Sequence, residues 1–186
     1  MNNQGIHRPI RLPHWEELPA MGLYNEQILQ FLNPYFAPIY DNDNVLQSTM
    51  INNYVKLGLV PAPERRRYSR EALARLVVIV LLKSLFTVSE IAYLTDKMLS
   101  THDIGESYNI FCEIIERTFG EVATGEIRRS EHEDEYIRIL EDVGIAVACQ
   151  LAVKRRFARR RKAKELLKAR EERALALSEE SEQEGS

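Results

Sequence analysis

The stretch from Ser69 to Lys83 limits the fold of this chain more than any other. Ser69 is a residue type that caps helix N-termini, and behind it Leu73, Leu76, Val77, Val80 and Leu81 recur on one face at helical spacing. Val78, Ile79 and Leu82 add a second apolar face. A helix apolar on two faces has to be enclosed by other elements. The run Leu76–Leu82 is far shorter than the ~20 residues a membrane span needs, so the enclosure is expected to be protein and the chain to stay off the membrane.

The rest of the sequence supplies enclosing helices. Residues 1–23 read as an irregular arm docked through Trp15. Ile28, Leu29, Leu32 and Phe36 predict a helix from Asn25, its N-cap, to Phe36, with Pro34 ending it early or kinking it and Pro38 and Asp41–Asn44 marking a loop. Thr87 and Glu90 form a capping box that opens a helix containing Ile91, Leu94 and Leu99. His102 and Asp103 fall in a loop. A further helix carries Tyr108, Phe111, Cys112, Ile115 and Phe119 to an end near Gly120, and a polar break follows to Arg129. A long helix is expected from about Ser130 to Leu177, burying Ile139, Leu140, Val143, Ala146, Val147 and Leu151, with an acidic disordered tail from Ser178.

Between these lies the one segment that suggests extended chain. Ser48 is expected to cap a short helix, Thr49–Leu57, which Gly58 ends in the left-handed conformation. Leu59-Val60 then reads as extended, with Pro61 and Pro63 enforcing extension. Glu64-Arg65-Arg66-Arg67 is a tight charged turn, and Tyr68 brings the chain back. The expectation is a small two-stranded wing and no larger sheet.

These residues resemble the DNA-binding module of MerR-type regulators. There a Tyr-containing helix runs into a Gly-Leu turn and a proline-containing wing; here Ile51, Tyr54, Gly58 and Leu59 match in position, and Tyr68-Ser69 with Leu73 and Leu76 match the wing exit and next helix. Asn52 stands where that family has arginine and Asn53 where it has tyrosine, so one arginine–phosphate contact is lost. A closer resemblance is to the bacterial family known as domain of unknown function 1836. It rests on Met50-Ile51-Asn52-Asn53-Tyr54, Arg65-Arg66-Arg67-Tyr68-Ser69 and Leu82-Lys83, and runs from about Leu23 to about residue 150. It implies a winged-helix fold and a regulatory role, and brings no substrate or effector. The fold class expected is mainly α: a MerR-like winged helix-turn-helix over 24–86, after the arm 1–23. Helices over 87–153 pack on it, and 154–186 form a charged extension and tail.

A helix of this length fits the major groove, where an asparagine amide pairs with adenine N6 and N7. The expected DNA contacts are Asn52 and Asn53 to bases and Ser48 and Thr49 at the positive helix end. Tyr54 and Lys56 are expected on the backbone, Arg65, Arg66 and Arg67 on phosphate or in the adjacent minor groove, and Tyr68 and Arg70 complete the expected DNA-binding set. From Asn52 to Lys83 seven bases face two acids, +5 inside a chain of net charge −3. The plainer alternatives are a core Tyr54, asparagines that bond the turn, and arginines that are only solvated surface. The partners expected are double-stranded DNA and a second copy of the chain, because regulators of this kind read paired half-sites. A protein-interaction adaptor without DNA binding is the competing reading.

Other clusters say less. Lys154–Lys164 holds eight cations, readable as a second nucleic-acid contact or as a solvated helix end paired with Glu165, Glu171, Glu172 and the acidic tail; the sequence favours the solvated end. Glu131–Glu135 lacks a His-Glu-x-x-His spacing and suits a helix first turn, so no metal is expected. No phosphate loop or nucleophile motif occurs, so neither a cofactor nor enzymatic activity is expected. Counting leaves a Cys112–Cys149 disulfide open, but both lie in apolar helical patterns that favour reduced, buried thiols. The N-terminus has no apolar run after His7, Arg8 and Arg11, so no secretory signal is read and a cytoplasmic location is expected.

Overall fold

A computed structural model describes residues 10–101, 103–129, 132 and 134–184. It contains α1 (Asn25–Tyr40), α2 (Ser48–Lys56), α3 (Arg70–Leu82), α4 (Val88–Thr101), α5 (Ile104–Thr124) and α6 (Glu135–Glu184), preceded by one 3-10 turn at Trp15–Glu17. The chain divides into two compact units, 1–151 and 152–186. His102 and the arm residues 1–9 lie outside the described residues, as do Glu131 and Glu133 of the acidic cluster.

In the first unit α3 is the centre. Every residue from Ala72 to Leu82 except Arg75 is buried. Ser69 caps it, its Oγ accepting from the Ala72 N–H at 3.2 Å. The Thr87–Glu90 box also forms: Glu90 accepts from the Thr87 N–H at 2.7 Å, and Thr87 Oγ1 from the Glu90 N–H at 3.3 Å. The Thr87 hydroxyl also donates to the Glu90 carboxylate at 2.8 Å, and with the Thr87 N–H it holds that carboxyl below its ordinary range.

The arm is more than an irregular lead-in. Leu12 and Leu18 are fully enclosed, each contributing about 2 kcal/mol of burial. Trp15 meets Tyr108 edge-on, with centroids 6.3 Å apart. The Tyr108 hydroxyl donates to the Pro13 carbonyl at 2.7 Å, and Asn109 Oδ1 accepts from the Trp15 N–H at 2.8 Å. The arm is thus strapped to α5 by polar bonds as well as by the ring.

Several expectations need correction. α1 begins at Asn25 with Tyr24 as its N-cap, and continues through both Pro34 and Pro38 to Tyr40. The two prolines are four residues apart and both exposed, opposite buried Ile28, Leu32, Phe36 and Ile39. The carbonyls they leave without an N–H therefore lie on the solvent side, where water can serve them. α5 ends at Gly125, not Gly120, because Gly125 takes the left-handed conformation at φ 82°. Leu57, expected to end the short helix, is its C-cap and 48% exposed. In α6 the buried stripe is Tyr136, Leu140, Val143, Val147, Ala148 and Leu151, leaving Ile139 and Ala146 outside. The helix is continuous to Glu184, past the start of the acidic tail.

The expected two-stranded wing is absent. No β-strand occurs among the described residues, only isolated bridges at Leu23–Tyr68 and Glu64–Arg67. The reason is a shortage of donors. The Leu59 and Val60 N–H groups both go to the Tyr54 carbonyl at 3.0 and 3.3 Å, closing α2, and Pro61 and Pro63 have no N–H to give. Gly58 at φ 72° directs its N–H to the Val55 carbonyl, completing with Leu59 a Schellman motif.

Both cysteines are free, but only Cys112 is buried; Cys149 is exposed. Burial pushes the Cys112 thiol up to about 12. A thiol reagent at neutral pH is therefore expected to titrate one fast thiol in the native chain and a second only on denaturation. Two fast thiols would contradict this placement of Cys112.

Candidate nucleic-acid interface

α2 has two unlike faces. Ile51 is buried, with Met50, Tyr54 and Val55 half-buried beside it, and the helix packs on α1. Thr49, Asn52, Asn53 and Lys56 are exposed, spaced as one outward stripe at i, i+3, i+4 and i+7. Neither asparagine amide has a hydrogen-bond partner among the described residues, so neither serves the turn. Ser48 is the first residue of the helix and not its cap, a role held by Gln47 without a side-chain bond. Its hydroxyl donates instead to Asn25 Oδ1 at 2.6 Å.

The arginine turn is a hairpin reduced to its tip. Glu64 and Arg67 exchange both backbone hydrogen bonds, at 3.0 and 2.8 Å. Arg65 and Arg66 between them have φ of 46° and 67°, the signature of a two-residue type I′ turn. That conformation favours Asn-Gly and strains residues with a Cβ, so two adjacent arginines are held there against their preference. Both side chains are exposed.

The base of this hairpin is pinned to the strap before α1. Tyr68 and Leu23 exchange backbone bonds at 2.8 and 3.1 Å. The Arg67 guanidinium lies over the Tyr24 ring, 4.9 Å from its centroid, and Nη1 reaches the Gly22 carbonyl at 3.5 Å. Only glycine allows this approach, since a Cβ at Gly22 would sit 2.9 Å from the Arg67 Cβ. Consecutive residues Tyr24 and Asn25 therefore receive Arg67 from the hairpin and Ser48 from the start of α2.

Not every residue in the predicted set is available. Tyr68 is a core residue, 5% exposed. Arg70 is drawn inward: it lies 3.6 Å from Glu16 and 5.4 Å from the Trp15 ring centre, and its Nε is buried without a partner. Arg75 is bound to Glu71 at 2.9 Å, and Lys83 is half-buried, which pulls its ammonium below the ordinary lysine range. Part of the segment's formal +5 is spent inside the fold, leaving Lys56, Arg65, Arg66 and, over the Tyr24 ring, Arg67 as its exposed cations. Tyr54 sits beside Tyr40, and burial raises both phenols above their ordinary value, so both stay protonated at neutral pH. The arm contacts that draw Arg70 inward had no periodic signal to announce them.

The sequence pattern of a protein family described as a domain of unknown function, DUF1836, matches residues 13–111. The chain belongs to this family. The DUF1836 region begins within the arm, at Pro13, and ends inside α5, so it contains α1 to α4, the arginine turn and the Trp15 part of the docked arm. No curated protein and no solved structure matches the chain. Among the described residues no group of three or more metal-ligating side chains converges, and no helix is long and apolar enough to cross a membrane.

Proposed function

We propose that this DUF1836 protein is a cytoplasmic DNA-binding regulator and not an enzyme. In this reading the outer stripe of α2 enters the major groove, and Arg65 and Arg66 grip the flanking phosphates. Asn52 and Asn53 read base edges, while Thr49 and Lys56 contact the backbone. The observation that carries the reading is the joint anchorage on Tyr24-Asn25, which ties the start of α2 and the base of the arginine turn to adjacent residues. An unpartnered amide pair on an exposed helix, next to two strained arginines, suits recognition better than packing. The likeness to MerR-type regulators in Ile51, Tyr54, Gly58 and Leu59 adds support from sequence alone. A two-fold dimer would present two such helices to paired half-sites.

The test is a gel-shift titration of the full chain on the DNA upstream of its own gene. Asn52→Ala with Asn53→Ala is expected to weaken binding by about tenfold or more, since a bidentate amide–adenine pair contributes about 1–3 kcal/mol of discrimination. The adaptor reading draws on Asn52 standing in place of the MerR arginine. It predicts no shift of any duplex by wild type, with the same surface retained for a protein partner.

A further inference from the structure

We propose that the helical segment 154–164 is a second DNA contact, one that holds the phosphates of a duplex without regard to sequence. This goes beyond the α2 reading and does not depend on it. Within the second compact unit α6 is unbroken, and Lys154, Arg155, Arg156, Arg159, Arg160, Arg161, Lys162 and Lys164 lie on it with no acid among them. All are exposed except Arg155, which is half-exposed.

Two features of the placement decide what the segment suits. First, the acids of the chain are out of step with it. On a helix a charge meets partners three or four residues away. Lys154, Arg156 and Arg160 have no acid within four residues on either side, and Glu165 reaches only the last turn. Like charges instead face each other at Arg156–Arg160 and Arg160–Lys164, which destabilises the bare helix.

Second, the cations ring the helix. At about 100° per residue the eight positions leave no empty sector wider than about 80°. A membrane surface is matched by a helix with cations on one side and apolar groups on the other. Here the apolar residues form no such face, and Phe157 is the one aromatic among the cations. An all-round distribution suits a ligand with negative charge on two sides. The major groove of B-form DNA is such a ligand: it is about 12 Å wide, admits one helix, and is walled by phosphates on both edges. Phosphate contact would also relieve the like-charge pairs and release counterions.

The experiment is fluorescence anisotropy of the full chain on a random-sequence duplex across a salt series. The variant Lys154→Gln, Arg156→Gln, Arg160→Gln keeps helix-forming side chains, and circular dichroism checks its helix content. It is expected to bind at least tenfold more weakly at low salt, with the salt slope reduced by about 2–3, since each phosphate contact contributes about 0.9. Arg65→Gln with Arg66→Gln, measured alongside, should leave most of that slope in place, which separates this contact from the α2 site. The proposal is overturned by an unchanged slope in the triple variant. It is equally overturned if the wild type binds phosphatidylserine vesicles but not the duplex.

Discussion

Replacing Arg65-Arg66 with Asn-Gly is expected to make the protein more stable and its specific DNA complex much weaker. Both arginines occupy positive φ, at 46° and 67°, in a turn whose conformation costs roughly 1–2 kcal/mol for each residue with a Cβ. Asn-Gly is the favoured pair at these two positions. Part of the gain is offset by the freedom glycine adds to the unfolded chain, so the net is about 1 kcal/mol, or about 2–4 °C in Tm. The same change removes two of the outward cations beside α2. DNA affinity is expected to fall by about a hundredfold at low salt, as two phosphate contacts are lost. The opposite signs matter, because a loss of binding in a more stable protein cannot come from unfolding. If the variant gained stability and kept its affinity, the arginines would be surface and the strain without purpose.

Arg117→Met is expected to produce a large loss of stability. Glu141 on α6 is 5% exposed, and Arg117 on α5 donates to it through Nη2. Arg117 also lies 3.8 Å from Glu121. Removing one partner of a buried ion pair costs about 3–5 kcal/mol, because the remaining charge loses its counterion. Arg117 is 39% exposed, so solvent screens part of the pair and about 2–3 kcal/mol is expected. Urea denaturation would show it as a lower midpoint at unchanged slope. Adding Glu141→Leu should restore most of the loss, as an apolar pair strands no charge. A double variant as unstable as the single one would mean that packing of the Arg117 stem, and not the charge, holds α5 to α6.

What could be read from the sequence was whatever depends on neighbours along the chain. Ser69, Gly58 and the Thr87–Glu90 box act within one turn of a helix, so residue type alone indicates them. The enclosure of α3 followed from its two apolar faces. What could not be read depends on contacts between segments. Pro34 and Pro38 looked like helix breakers because nothing local says that both would face solvent. The wing was expected because Leu59-Val60 and Tyr68 look extended, but the donors were already committed to α2 and the prolines. Tyr68 and Arg70 were assigned to the site by proximity to the arginine run, yet one is core and the other is held by Glu16 and Trp15 of the arm. Within the candidate site, the stripe Thr49, Asn52, Asn53 and Lys56 and the two turn arginines are the part that both sequence and structure place outside.

The most direct measurement is recovery of bound duplexes from a randomised pool by the full chain, repeated with Asn52→Ala and Asn53→Ala together. The account predicts that wild type enriches a defined site with adenines in the groove facing α2, and that the double variant, folded and still binding DNA non-specifically, enriches none. Enrichment of the same site by both proteins, or of no site by wild type, would contradict it.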